Sequence, residues 1–381
     1  MRSLTLPPLR PEVLATVAIP ARDEALALPH ALAALDRQIA LDGRPLDPRS
    51  YDIVVLANGC SDDTASIVRA HARSRKGPAI TVVEIDFAPQ DAHIGVARRT
   101  LLDALARRAL RAERPRAILA STDADTCVDA TWLAATIDEM TNADAVMGRI
   151  SVARAELAAL HRQARTLYLR DAAHRRLVGE LEAMRDPVAH DPLPRHGQHY
   201  GASLAVTAES YVRAGGCPPL RALEDLAFFE ALERIDARVR HSMRVRVATS
   251  ARSYARVDGG FATFLADLGA RGSLQVESPV RTIVRLDTRA ALRRLWHGEP
   301  RATDASAACR AYACTSRDFD ERFDPGEPFG VNVARFEALA SETWARYAPV
   351  AVERALPIVR ALRASANAVS PIRRAIASGA G

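Results

Sequence analysis

The sequence predicts an α/β protein built on a doubly wound, mainly parallel sheet, with a helical C-terminal extension. In the first half of the chain, short apolar runs rich in β-branched residues alternate with longer Ala, Leu and Arg runs of helical spacing. Polar or turn residues follow three of the apolar runs, near residues 20–23, 58–62 and 123–125. The carboxyl ends of parallel strands share one edge of a sheet, where ligands bind, so these three segments are predicted to form a site.

The predicted elements of the first half follow from hydrophobic periodicity, which distinguishes strands of four to eight residues from longer amphipathic helices. The predicted strands are Leu14–Ile19, Asp52–Ala57, Ala79–Ile85, Arg116–Ser121 and Ala143–Ile150. The predicted helices between them are Glu24–Ile39, Asp62–Arg73, Gly95–Arg111 and Thr131–Met140.

The second half is predicted to be mainly helical. A long helical pattern covers 152–185, a Pro- and His-rich loop follows at 186–196, and a strand is predicted over 199–206. A further helix begins near Glu224, and helical patterns cover 264–296 and 333–363 with an irregular stretch over 298–332. These patterns predict two domains, 1–265 with the sheet and 266–381 as the helical extension.

Composition favours a folded protein of the cytoplasm. The chain has 381 residues, 48% of them hydrophobic, which is enough for a sizeable core. Its five cysteines are scattered without a C-x-x-C pair, so neither a disulfide framework nor a structural zinc site is indicated. No segment has the ~20 apolar residues of a membrane-spanning helix, and the N-terminus lacks the apolar core of a signal peptide.

The formal net charge of +6 comes almost entirely from arginine, since Lys76 is the only lysine. A positive surface attracts anionic partners such as a nucleotide sugar, a phosphorylated acceptor or a membrane face. No basic stripe with interleaved aromatic residues is present, so nucleic acid is not an expected partner.

Two Asp-x-Asp triplets occur, and their surroundings differ. Asp123-Ala124-Asp125 directly follows an apolar run, which predicts a pair of carboxylates at a strand end, suited to Mg²⁺ or Mn²⁺. Asp318-Phe319-Asp320 lies between polar residues and is predicted to be a solvated loop. The first triplet is therefore the candidate metal site.

The order of motifs resembles family 2 glycosyltransferases of the GT-A fold over roughly residues 12 to 260. Four landmarks carry the resemblance. They are the opening strand and turn Val17–Glu24, the Val55–Thr64 segment with Asn58-Gly59, the Asp123-Ala124-Asp125 triplet, and Gly215-Gly216 followed by Glu224-Asp225. The resemblance implies a GT-A nucleotide-diphospho-sugar transferase fold.

The resemblance implies that the loops after the first two strands bind the nucleotide. The implied nucleotide contacts are Pro20, Ala21, Asp23, Glu24, Asn58, Asp62, Asp123 and Ala124. Arg98 or Arg99, in a segment similar to the family's Gly-x-x-x-Ala-Arg, is implied near the nucleotide or diphosphate. Alternative interpretations are a simple Asn58-Gly59 turn, an Asp62 helix cap and a solvated Arg98–Arg99 helix face. Ala57 replaces the Asp of many members, so the identity of the base stays open.

The metal is implied to bind Asp125 directly, with Asp123 facing the ribose or reaching the metal through water. The resemblance also implies a further metal ligand downstream, for which His241 is the candidate. Mn²⁺ or Mg²⁺ bound there would neutralise charge on the departing nucleoside diphosphate. The alternatives are an acidic helix-capping turn at Asp123 and Asp125 and a structural role for His241.

Asp225 is the candidate general base, because inverting members carry a carboxylate about a hundred residues after the metal motif. Its neighbour Glu224 is predicted to orient the acceptor or to cap the helix. The alternative for both is the favourable effect of acidic residues at a helix N-terminus.

The resemblance therefore implies a metal-dependent enzyme that moves one sugar from a nucleotide-diphosphate donor to an acceptor hydroxyl, with inversion. Two alternatives stay open: a retaining GT-A enzyme of the glucosyl-phosphoglycerate synthase type, and a non-catalytic nucleotide-sugar-binding protein. A sugar nucleotidyltransferase is disfavoured, since no Gly-rich phosphate loop follows the first strand.

Two further segments complete the predictions. The helices from residue 349 onward are candidates for a homodimer contact or for peripheral binding to an anionic membrane. Arg252, Arg256 and Gly259-Gly260 are candidates for a basic flap over the diphosphate.

Overall fold

The structure is a computed structural model that describes residues 4–74, 76–250, 264–265, 267–268, 270, 272–339 and 341–378, with 341–342 and 367–378 described by their backbone alone. The candidate flap residues Arg252, Arg256 and Gly259-Gly260 lie outside the described residues. The chain divides into two compact units.

The first unit consists of Met1–Ala159, Gln198–Glu233 and Ala237–Phe264. Its strands are β1 (Ala15–Ala21), β2 (Tyr51–Asn58), β3 (Ala79–Ile85), β4 (Ile118–Ser121), β5 (Thr126–Val128), β6 (Ala145–Val152), β7 (Leu204–Thr207) and β8 (Val239–Thr249). Its helices are α1 (Leu28–Asp36), α2 (Thr64–Arg73), α3 (Ile94–Arg111), α4 (Trp132–Glu139), α5 (Arg154–Ala159), α7 (Ala208–Arg213) and α8 (Glu224–Arg234).

The eight strands form one sheet in the order β3-β2-β1-β4-β7-β6-β8-β5. Strands β1 to β4 pair in parallel, β6 pairs in parallel with β8, and β7 runs antiparallel between β4 and β6. Every residue of β1, β2 and β4 is buried, as expected for parallel strands covered on both faces. The predicted α/β fold with a mainly parallel sheet is confirmed.

The core of the first unit contains alternate residues of the central strands, such as Val17, Ile19 and Ile53, with Leu32 of α1 and Trp132 of α4. Removing this apolar surface from water contributes about 25 cal/mol for each Å². The core therefore holds rigidly the strand ends from which the polar loops leave.

The second unit consists of Leu160–Gly197, Arg234–Asp236 and Leu265–Gly381. Its described elements are α6 (Arg162–Arg185), β9 (Gln275–Val276), α9 (Pro279–Trp296), α10 (Asp304–Tyr312), α11 (Ser316–Arg322), α12 (Phe329–Leu339), α13 (Ser341–Ala345), β10 (Val350–Ala351) and α14 (Val352–Ser378). An aromatic cluster with Tyr312, Phe319 and Phe336 forms its core. Among the described residues, no helix is long and apolar enough to cross a membrane.

Several predicted elements differ from those observed. The long helix over 152–185 is two helices, α5 and α6, and residues 160–197 belong to the second unit rather than to the predicted domain 1–265. The strand predicted from residue 199 begins at Leu204, after a short 3-10 turn, Gly201–Ser203. The irregular stretch predicted over 298–332 contains α10 and α11.

The elements that were not predicted include the strands β5 and β8 and the helix α11. β8 is an 11-residue strand whose alternating Val239, His241, Met243 and Val245 carry the period-two signal of a strand, and β5 is only three residues long. The second triplet, 318–320, is not a loop, because it lies within α11.

Candidate active site

The polar loops of the first unit lie at the point in the sheet where the order of the strands reverses. β1 pairs with β2 on one side and with β4 on the other, so the chain changes direction across the sheet between β1 and β4. Register places Ala21 opposite Ala57, and Ala18 opposite Ser121, so the three strands run toward the same edge and β4 ends three residues before β1 does. A reversal of this kind opens a crevice at the carboxyl edge, where open α/β sheets bind ligands.

The first two loops are tied together by their own acidic side chains. The Asp23 carboxylate accepts hydrogen bonds from the Ser61 backbone N–H at 2.6 Å and from its hydroxyl at 3.0 Å. Asp62 accepts in return from the Ala25 N–H at 3.0 Å, and also from Thr64. Asp23 has a φ of 51°, a left-handed conformation that Asp and Asn adopt more readily than most residues. These carboxylates therefore shape the two loops.

The remaining predicted nucleotide contacts of these loops are buried. Pro20 and Ala21 lie within fully buried β1, and Glu24, 9% exposed, has its backbone N–H bound to the Thr64 hydroxyl. Asn58 ends β2 and is also buried, and its side-chain oxygen has no hydrogen-bond partner in the described part of the chain. The contacts of these residues with a nucleotide stay predictions.

Arg98 is the centre of the candidate site. Its guanidinium donates to Asp123 at 2.9 Å, to Glu224 at 3.2 Å, to the Ser121 hydroxyl at 2.6 Å and to the Gly201 carbonyl at 3.0 Å. The Arg98 side chain is 3% exposed. One buried cation thus joins the end of β4, the turn before β7 and the start of α8, which are far apart in sequence.

Residue 201 must be glycine for this arrangement. A Cβ on Gly201 would lie 2.5 Å from the Arg98 guanidinium carbon, well inside van der Waals contact. The absent side chain therefore leaves the space that the guanidinium fills.

Burial and ion pairing have opposite effects on the pKa values of Arg98 and Glu224. Burial disfavours the charge of Arg98, but Asp123 and Glu224 outweigh it and raise the Arg98 pKa above its usual range. Burial raises the pKa of Glu224, and Arg98 only partly opposes it. Burial also raises the pKa of the nearby Cys217 thiol to about 12, so this cysteine is not a nucleophile.

Of the two adjacent arginines, Arg98 faces the interior and Arg99 contacts a different loop. It donates to the carbonyls of Cys217 at 3.0 Å and Gly215 at 3.2 Å, and so holds the loop after α7. Gly95, one turn earlier on α3, lets the same loop approach, since a Cβ there would lie 2.0 Å from the Leu220 carbonyl oxygen. The Gly-x-x-x-Ala-Arg segment therefore packs the Gly215-Gly216 loop against α3.

Asp225 is placed differently from its neighbour. One carboxylate oxygen accepts from the Gly201 N–H at 2.8 Å, and the other accepts from the N–H of Leu226 at 2.8 Å. Asp225 is half-buried, whereas Glu224 is only 5% exposed. Of the two predicted catalytic acids, Asp225 is the one that a ligand can reach, and Glu224 is bound to Arg98.

The two aspartates of the first triplet are both half-buried beyond the end of β4, and Ala124 between them is buried in the core. Asp123 uses one oxygen, Oδ1, for Arg98. Asp125 precedes β5, whose Thr126 hydroxyl donates to Thr249 of β8 at 3.1 Å. Their donor chemistry, two carboxylates at one loop, fits a hard divalent cation.

His241 lies in β8 beside aromatic rings. It is 4% exposed, its Nε2 lies 3.2 Å from His199 Nδ1, and its ring contacts Phe229 edge-on at 5.6 Å between centroids. Asp123, Asp125 and His241 do not form a cluster of ligand atoms within 4.8 Å of one another. Metal binding by His241 stays a prediction.

One such cluster does exist among the described residues, formed by Asp23, Cys60 and Asp62. Its carboxylates already accept the loop hydrogen bonds described above. We assign it the role of bracing the two loops.

Sequence reasoning did not predict that Ser121 and Gly201 contact Arg98. Ser121 ends an apolar run, and Gly201 lies in the segment 199–203, which was expected to shape the acceptor side of the cleft. The glycine beside a strand was the one available signal, because isolated glycines there often mark close approach of another group.

The search of solved structures returns proteins of the resembled class. A mannosyltransferase from Pyrobaculum calidifontis, in complex with GDP-Man and Mn²⁺, is 18% identical over 96% of this chain and 79% of that chain, with a TM-score of 0.43. S. aureus TarS in complex with UDP-GlcNAc is 13% identical over 92% and 87%, with a TM-score of 0.46.

A third is glucosyl-3-phosphoglycerate synthase from Mycobacterium tuberculosis, in complex with Mn²⁺, UDP and phosphoglyceric acid. It is 15% identical over 72% of this chain and 78% of that chain, with a TM-score of 0.36. No family model and no curated protein matches the sequence. The solved structures to which the chain is similar thus include a mannosyltransferase and a glucosyl-3-phosphoglycerate synthase, at 18% and 15% identity.

Proposed function

We propose that the protein is a glycosyltransferase that transfers one sugar from a nucleoside-diphosphate sugar to an acceptor hydroxyl. The observation that carries the proposal is the buried Arg98, which contacts both Asp123 of the candidate metal loop and Glu224, next to the candidate base Asp225. The groups needed to stabilise a leaving diphosphate and to deprotonate an acceptor are thereby held at one sheet edge.

The donor nucleotide would lie in the crevice between β1 and β4. The loops after β1 and β2, braced by Asp23 and Asp62, form one wall, and the Asp123–Asp125 loop forms the other. Arg98 is too buried to bind the diphosphate directly. Its role in this proposal is to fix the direction of the Asp123 carboxylate.

Asp123 and Asp125 would hold a divalent cation, Mn²⁺ or Mg²⁺. When bound, the metal supplies Lewis-acid neutralisation of the charge that develops on the diphosphate. Asp123 keeps Oδ2 for this purpose, because only its Oδ1 accepts from Arg98. Three oxygen donors or fewer from protein suit these ions, which usually retain water and take phosphate oxygens as ligands.

Asp225 would act as general base. The acceptor hydroxyl gives its proton to the Asp225 carboxylate, its oxygen forms a bond to the anomeric carbon, and the bond from that carbon to the diphosphate oxygen breaks. The electron pair leaves with the nucleoside diphosphate. The Gly201 N–H, at 2.8 Å, orients the carboxylate for this step. A single displacement of this kind inverts the anomeric centre.

Glu224 supports the reaction through Arg98 in this proposal. It is buried and bound to the Arg98 Nε, so it orients the guanidinium and, through the chain, its neighbour Asp225. It is a positioning residue and does not receive the acceptor proton.

The test is release of nucleoside diphosphate from a panel of sugar nucleotides with Mn²⁺ and varied hydroxyl acceptors. We expect turnover by the wild type, and a fall in kcat of about 10²–10⁴ in Asp225→Ala, the range for loss of a general base. Asp320→Ala, an exposed aspartate of the other triplet, is the matched control and should retain full activity.

Three other results would redirect the proposal. Metal-dependent binding without turnover would make the protein a nucleotide-sugar-binding module. Pyrophosphate release from a nucleoside triphosphate and a sugar phosphate would replace the transferase by a nucleotidyltransferase. A product with the donor's anomeric configuration, read by NMR, would show retention and remove the base role from Asp225.

A further inference from the structure

The second unit contains a cavity of about 1150 Å³ that the proposed glycosyl transfer does not use. We call it the arginine cavity, after five lining residues: Arg185, Arg294, Arg301, Arg310 and Arg346. Its walls come from the end of α6, from α9 and α10, and from the segment around Tyr347. Its volume is slightly above the ~300–1,000 Å³ that is typical of ligand sites, so a multi-atom ligand fits.

The cavity carries a surplus of positive charge. Five arginines line it against two acidic residues, Asp287 and Asp304. Both acids are already engaged, since Asp287 pairs with Arg185, and Asp304 accepts from Arg294 at 2.6 and 2.9 Å and from the Arg301 N–H at 2.9 Å. Five arginines and two aspartates leave a formal surplus of three positive charges among the lining residues.

Two guanidinium groups of the lining have no hydrogen-bond acceptor in the part of the chain that the structure describes. Among the described residues, the side chains of Arg301 and Arg310 make no hydrogen bond or ion pair, and both residues are exposed. The Nε of Arg185 is buried and also lacks a hydrogen-bond acceptor in the described part of the chain. A buried donor without an acceptor costs free energy that a ligand oxygen can recover.

The other arginines are pre-positioned. Asp304, whose side chain is 4% exposed, holds Arg294 through a two-pronged contact that uses Nε and Nη2 and leaves Nη1. Arg346 lies over the Tyr347 ring at 5.0 Å from its centroid, with its guanidinium 3.5 Å from the Arg310 carbonyl oxygen. Side chains already fixed in the free protein lose less entropy when a ligand binds.

We propose that the arginine cavity binds a ligand with at least two phosphate-type charges, such as a diphosphate. Guanidinium forks match phosphate oxygens, and several around one cavity favour a polyanion over a single carboxylate. The diphosphate could belong to a soluble molecule or to the headgroup of an anionic lipid. This site is distinct from the proposed donor crevice, since all its lining residues belong to the second unit.

The soluble source is tested with inorganic pyrophosphate by calorimetry on the full chain, in EDTA so that no divalent metal recruits it elsewhere. We expect binding that the double variant Arg301→Gln, Arg310→Gln weakens by about tenfold or more, since it removes charged hydrogen bonds. The charge-matched control is Arg317→Gln, Arg360→Gln, at exposed positions outside the cavity, which should bind as the wild type does. Circular dichroism confirms that each variant is folded.

The lipid source is tested by co-sedimentation with vesicles of phosphatidylcholine alone and of phosphatidylcholine mixed with a lipid whose headgroup carries a diphosphate. Binding to the anionic vesicles that the cavity variant weakens and the control does not would assign the cavity to a headgroup. The proposal is overturned if the wild type binds neither probe, or if the two double variants behave alike.

Discussion

The two Asp-x-Asp triplets have the same spacing and opposite structural roles. Asp123-Ala124-Asp125 follows a buried strand, and its first carboxylate accepts from a guanidinium that is 3% exposed. Asp318-Phe319-Asp320 lies at the start of α11, where Asp318 and Thr315 form a capping box and Asp320 is exposed. The middle residue differs accordingly, because Phe319 supplies the hydrophobic contact of a helix and Ala124 fills a core position.

The two carboxylate pairs differ in the groups that hold them, and those groups determine the role of each pair. At the first triplet the restraint is a buried arginine from another part of the chain. At the second it is the local N-cap, which satisfies backbone N–H groups of the same helix. Three experiments test this distinction.

The largest expected effect is on stability. Arg98→Met should lower the free energy of unfolding by about 3–5 kcal/mol, because it leaves the buried Glu224 and the partly buried Asp123 without their cation. Arg322→Met, which removes the half-buried partner of Asp318 at 3.6 Å, should leave stability nearly unchanged. Urea unfolding measures both. Arg98→Lys should lie between them, since it retains the charge without the fork.

The next effect is on activity. Asp125→Ala should lower kcat by about 10²–10³, the range for removing one group that stabilises charge in a transition state, and should raise the Mn²⁺ concentration needed for half-maximal rate. Asp320→Ala should change neither quantity, because its side chain is exposed on α11. Steady-state assays with a metal titration provide the measurement. Equal losses in both variants would remove the distinction between the triplets.

The smallest effect is on the pH dependence of stability, and its sign differs between the regions. Burial raises the Glu224 pKa above its ordinary value of 4.5, so its contribution is present below that pH and is lost as pH rises through the raised pKa. Hydrogen bonds from Thr315 lower the Asp318 pKa from 3.8, so its contribution is present above that pH and is lost as pH falls.

Unfolding measured across the acid and neutral range checks these signs. Glu224→Gln should abolish a decline of stability with rising pH, whereas Asp318→Asn should abolish a decline with falling pH. Changes of the same sign in the two variants would contradict the assignment.

Local patterns were enough to predict six of the eight strands of the sheet and the loops after β1, β2 and β4. The apolar runs of β1, β2 and β4 are continuous, because parallel strands buried on both faces have no polar alternation, and the ends of β1 to β4 and β6 were found within two residues. The strand-end aspartates followed from the same runs. β8 carried a detectable alternation, whereas the three residues of β5 are too few for a period to appear.

Contacts between distant segments were not predictable in the same way. The roles of Ser121 and Gly201 depend on a guanidinium that lies 23 and 103 residues away in sequence, and nothing local marks either as its partner. The resemblance implied that Glu224 and Asp225 are acids of the site. Only the fold shows that one is buried on Arg98 and the other is half-buried on Gly201.

The position of β7 between β4 and β6 dictates an order of events during synthesis. Both sheet neighbours of β6, β7 and β8, are translated after it, so β6 has no strand to pair with when it leaves the ribosome. Gly201 follows Arg98 by 103 residues, which takes about 5–20 s at a rate of ~5–20 residues per second. Over that interval the Arg98 guanidinium remains in contact with water, because its partner Gly201 has not yet emerged. The two halves of the sheet can join only after β7, residues 204–207, has emerged to pair with β4 and β6.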